Sequence, residues 1–96
     1  MVSFRGHLLK EAQDLCDRKA ADYASPEDVL SNFRRLAADL GVRPEQVWVI
    51  YFRKQVDALV SWAAKGRLES EPLRSRFQDV INYCVLGAAL AAEAEQ

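Results

Sequence analysis

The chain has 96 residues, half of them hydrophobic and three of them proline, and carries 13 Lys and Arg against 14 Asp and Glu for a net charge of -1. That length holds one core and no second, and the apolar content excludes a chain too polar to fold, so one domain spanning residues 1–96 is expected. The charge balance lacks the basic excess that releases counterions from a long nucleic acid, which excludes that partner class.

Ser3 is placed to cap a first helix in which Phe4, Leu8, Leu9, Ala12, Leu15 and Cys16 recur at helical spacing up to about Ala21. Ser25-Pro26-Glu27-Asp28 is a helix-start signal, with a capping hydroxyl, proline in the first turn and two acids facing the positive end of the dipole. The second helix carries Val29, Leu30, Phe33, Leu36, Ala37 and Leu40 on one face and stops at Gly41. Pro44 opens a third helix that runs to about Lys65, with Gly66 as its terminator, and a charged connector from Gly66 to Glu71 leads to Pro72 and a fourth helix ending near Ala92. No stretch alternates apolar and polar residues as a half-buried strand does, so the fold class is all-α, a four-helix bundle-like arrangement.

The third helix is apolar around its whole circumference, because Val47, Trp48, Val49, Ile50, Tyr51 and Phe52 are consecutive. Two neighbouring helices of so small a chain cannot cover such a rod, and completion of the bundle by oligomerisation, a dimer or higher, is expected. Trp48 and Trp62 read as core, and Cys16 and Cys84 as reduced core thiols. His7, Arg34-Arg35 and the Arg74/Arg76 pair read as solvated groups. The longest uncharged run, Val80 to Ala92, has 13 residues against the ~20 needed to cross a bilayer, and Met1 to Leu9 lacks the apolar region of a signal peptide. No membrane partner and a cytoplasmic location are expected.

Polar groups interrupt these apolar helices. Lys54, Asp57 and Ser61 form one stripe on the third helix; Asp79, Asn82 and Tyr83 cluster on the fourth. Asn32 sits on the apolar side of the second helix, and Lys19, Asp22 and Tyr23 end the first together. Buried polar groups must satisfy one another or line a wet cavity. One reading is structural: Lys54 and Asp57 pair within their helix while Asp79 and Asn82 fix helix register. The other is a ligand cavity between bundle helices, where such cavities commonly form, and it is the reading preferred here.

Taken in order, Lys19-x-x-Asp22-Tyr23, Asn32-Phe33, Tyr51-x-x-Lys54-x-x-Asp57, Glu69-Ser70-Glu71-Pro72 and Asp79-x-x-Asn82-Tyr83 resemble small phage and prophage proteins. The family is the nucleotide modification associated domain group within the all-helical MazG-like nucleotide pyrophosphohydrolase superfamily, and the resemblance covers residues 14 to 90. It implies a MazG-like bundle, an oligomer and a phosphorylated nucleotide as ligand. Catalytic members carry Glu-x-x-Glu and Glu-x-x-Asp pairs that gather magnesium. Here Lys54-x-x-Asp57 and Asp79-x-x-Asn82 replace half of those acids by an ammonium and an amide.

That departure favours binding over turnover. The resulting expectation is a phage-type nucleotide-binding protein in which Lys19, Lys54 and Arg67 meet phosphates and Tyr23, Asn32, Asn82 and Tyr83 hold sugar and base, with Asp22 and Asp57 beside them. It needs no cofactor, and in a host cytoplasm it would sequester a nucleotide signal of antiphage defence. The alternative is a Mg2+-dependent nucleoside triphosphate pyrophosphohydrolase with Asp57 and Asp79 catalytic and Asp57, Glu69, Glu71 and Asp79 on the metal. A third reading is an oligomeric interaction module whose polar network holds no ligand.

Overall fold

The structure is a computed structural model that describes residues 3–20, 26–66 and 72–95, with the backbone alone described at 19, 20 and 26–29. All regular structure among the described residues is helical: α1 (Phe4–Ala20), α2 (Pro26–Leu40), α3 (Pro44–Lys65) and α4 (Leu73–Ala94). No helix among them is long and apolar enough to cross a membrane.

Local chemistry sets the ends. Ser3 Oγ accepts the Gly6 amide at 3.0 Å, which satisfies one of the orphan donors of the first turn of α1. α2 stops at Gly41, whose φ of 70° is left-handed; the Gly41 amide donates to Ala38 O at 3.3 Å and the Val42 amide to Ala37 O at 2.9 Å. This pair of bonds is a Schellman closure, and a side chain at position 41 would strain it. At the start of α3, Gln46 Oε1 reaches back to the Arg43 amide at 2.8 Å, and Gly66 closes the far end with its amide on Trp62 O at 2.7 Å. Pro72 precedes α4 in the cap position rather than inside it.

The helices pack mainly in the order α1, α4, α3, α2, with each of these neighbours in contact. One apolar core joins α2, α3 and α4: Leu30, Phe33, Ala37, Val47 and Leu90 are buried, with Leu36, Trp48, Tyr83, Leu86 and Ala89 against them. Trp48 is the key of the α3–α4 contact. Its Nε1 donates to Tyr83 O at 2.7 Å, and its ring lies where a Cβ on Gly87 would stand 2.5 Å away. Only glycine leaves room for the indole ring against α4 at this position.

Around α3 the apolar run divides. Val47 is 3% exposed and Trp48 and Phe52 are half-buried, but Val49 and Ile50 face outward and Tyr51 is partly exposed beside Phe33 and Tyr83. Neither tryptophan lies wholly inside, Cys16 is half-buried and Cys84 is exposed, so the two free thiols are not core residues. The reason is coverage, since α2 and α4 shield only part of the circumference of α3. The radius of gyration, 14.7 Å, exceeds the ~12.5 Å of a compact chain of this length. Accessible surface is 6921 Å², about 1,400 Å² above that of a compact monomer of this mass.

Candidate functional site

Asp22, Tyr23, Arg67, Glu69 and Glu71 lie outside the described residues, as does the side chain of Lys19. The remaining sequence-predicted residues fall in four places. Asn32, half-buried on α2, accepts a hydrogen bond on Oδ1 from Arg35 Nη2 at 2.6 Å. Lys54 and Asp57 are exposed on the outer side of α3, not buried between helices as their apolar neighbours suggested. Asp79 and Asn82 lie inward on α4: Asp79 is 7% exposed, and Asn82 Nδ2 donates to Ala12 O of α1 at 2.9 Å.

Asn82 therefore acts in the seam between α1 and α4. Beside it Glu11 accepts both Arg74 Nε at 2.5 Å and Arg74 Nη2 at 2.8 Å, and Gln78 Nε2 donates to the same carboxylate at 2.7 Å. The Arg74 guanidinium also sits over the Phe4 ring, 5.2 Å from its centroid. The hydrogen bond from Arg74 is the main influence holding the Glu11 carboxyl below its usual range; desolvation opposes it, while the charge of Arg74 and the Gln78 contact add to it. The Glu11 hydrogen bond in turn raises Arg74. Sequence reading set Arg74 aside as a solvated group, because its partner is 63 residues away and no local spacing announces such a pair. An apolar groove of about 440 Å³, lined by Phe4, Leu8, Leu73, Arg74 and Phe77, borders this seam.

Tyr83 belongs to a different neighbourhood. Its ring stacks on Tyr51 with planes 4° apart and centroids at 6.5 Å, and Tyr51 meets Phe33 of α2 at 5.7 Å. Tyr51 remains 40% exposed, so part of this aromatic group reaches solvent. Lys54 stands one turn along α3 from Tyr51 and is exposed. Tyr51 entered the sequence reading only as part of a motif and of an apolar run; its place on the surface follows from which side of α3 is covered.

A magnesium cluster does not fit the described residues. Asp57 faces out from α3 while Asp79 is buried in α4, and no three His, Cys, Asp or Glu side chains among those described converge. Hard divalent ions need several oxygens at one point. No family model, curated protein or solved structure matches the chain.

Proposed function

We propose that this chain binds a small phosphorylated nucleotide as an assembly of copies, without turning it over. The observation that carries the reading is the partly exposed Tyr51 ring, set beside Tyr83 and Phe33, with the exposed Lys54 one turn away. A flat aromatic surface beside a flexible cation matches the two ends of a nucleotide, a base that stacks and a phosphate that needs positive charge. Asn32, the sequence neighbour of Phe33 on α2, supplies an amide suited to a base edge or sugar. The described residues of one chain gather too few groups to enclose such a ligand; a neighbouring copy completes the site, and Lys19, Tyr23 and Arg67 belong to that enclosure by the family resemblance.

The same resemblance takes the four helices as MazG-like, places the protein in the cytoplasm of a phage host and makes sequestration of a nucleotide defence signal its role. Asn82 already gives one amide hydrogen to the Ala12 carbonyl of α1, which ties it to the α1–α4 seam.

Titration calorimetry in EDTA against nucleoside mono-, di- and triphosphates and cyclic dinucleotides tests the reading. At least one class binds, and Tyr51→Ala and Lys54→Ala each weaken it about tenfold or more while leaving the helical circular dichroism intact. Absence of binding to every class sinks the proposal. Pyrophosphate release with magnesium, lost in Asp79→Asn, replaces it by the hydrolase reading.

A further inference from the structure

The outer face of α3 carries a pattern that neither the core nor the aromatic stack uses. Gln46, Ile50, Arg53, Asp57, Val60 and Ala64 follow one another at spacings of four, three, four, three and four residues, the spacing of a coiled-coil seam, with Ile50, Val60 and Ala64 as its apolar members and an Arg and an Asp at its centre. All six are exposed, Ile50 at 65% and Val60 at 60%, and Val49 flanks them. Such a seam on a lone chain leaves large aliphatic side chains in water.

The seam is chemically symmetric about its own middle. In antiparallel pairing each a position lies beside a d position of the other helix. A twofold axis level with Gln55 then sets Ile50 against Val60, Arg53 against Asp57 and Gln46 against Ala64, each contact made twice. Parallel pairing sets Arg53 against Arg53 and Asp57 against Asp57, and those like charges repel. We infer that the exposed face of α3 docks an antiparallel α3 from a second copy of this chain, with Ile50 and Val60 as the apolar contacts and crossed Arg53–Asp57 pairs setting register and direction.

Two features support that occupant. Val49, Ile50 and Val60 on this face are 44%, 65% and 60% exposed, aliphatic surface that a second copy would cover. An isologous contact must also present the same patch on both sides and complement itself, which the order Ile50, Arg53, Asp57, Val60 does. Central ion pairs of this kind contribute little net affinity, so the aliphatic contacts hold the pair together and the charges choose its geometry. Asp57 is thereby an interface group, and Lys54 lies at the edge of the seam, which brings the second copy beside the Tyr51 face. This inference rests on the reading of the protein as an assembly and names the surface involved.

Sedimentation equilibrium of the full chain at micromolar concentration, without nucleotide, provides the test. The unaltered protein gives an even multiple of 10.8 kDa. Arg53→Glu leaves two acids in the seam and Asp57→Arg leaves two bases, and each weakens association by about tenfold or more per repeated contact, halving the mass. Mixed in equal amounts, the two variants recover the parent mass, because the acidic seam of one meets the basic seam of the other. The double variant Arg53→Glu/Asp57→Arg recovers it alone. Ile50→Glu halves the mass with no rescue, and circular dichroism checks that each variant is folded. A single-chain mass for the unaltered protein, unchanged masses in the folded single variants, or their failure to combine on mixing overturns the inference. Nucleotide affinity is measured separately, so loss of the binding proposal leaves these outcomes unaffected.

Discussion

The two sides of α4 are held by different physics. Toward α2 and α3 it joins an apolar core built on Leu30, Phe33, Ala37, Val47 and Leu90, keyed by Trp48 against Gly87. Toward α1 it offers Arg74, Gln78 and Asn82 to Glu11 and to the Ala12 carbonyl, and Ala12 is the buried apolar residue of α1. Burial is non-directional and largely indifferent to pH, whereas charge-assisted hydrogen bonds depend on geometry, ionisation and salt. One helix thus serves as the shared wall of a stable unit and a tunable one, and α1 is the element whose attachment solution conditions adjust.

That contrast can be broken most forcefully on the apolar side. Phe33→Ala removes a buried ring that touches Tyr51, and a loss of ~3 kcal/mol or more is expected in urea unfolding. A loss under ~1 kcal/mol would show that the core is not where the stability lies. Gly87→Ala is milder. It drives a methyl against the Trp48 ring, and an overpacking cost of ~1–3 kcal/mol is expected, with altered tryptophan fluorescence as the local readout.

The smallest effect sharpens the comparison from the polar side. The folded-state pKa of Glu11 is depressed, so its contribution is fully present above the ordinary carboxyl value of 4.5 and is lost as pH falls through the lower folded value. The protection of α1 amides against hydrogen exchange, referred to the intrinsic rate at each pH, should therefore fall below about pH 4.5 while amides around Val47 and Leu90 stay protected. Glu11→Gln should abolish that difference and reduce the sensitivity of α1 to salt. Equal acid sensitivity on both sides of α4 would refute the division.

Helix limits were legible to within about two residues, because their causes are local: Ser3 and Gln46 supply caps, and Gly41 and Gly66 supply left-handed stops. The candidate site was legible only as a set of residue types. Lys54, Asp57, Asp79 and Asn82 attract notice as polar groups on apolar helices, yet the fold sends the first two outward and the last two inward. Helical periodicity says which residues share a face. It is silent on which face a distant helix will cover.

Composition and local pattern were thus sufficient for an all-helical chain of about 96 residues with more apolar surface than one copy buries. Tertiary structure alone decided that Arg74 meets Glu11, that Cys84 faces outward, that Tyr51 stacks on Tyr83 while staying partly exposed and that Ile50 and Val60 lie bare on α3. Capping bonds and left-handed turns act over four or five residues, whereas burial depends on side chains brought together from opposite ends of the chain.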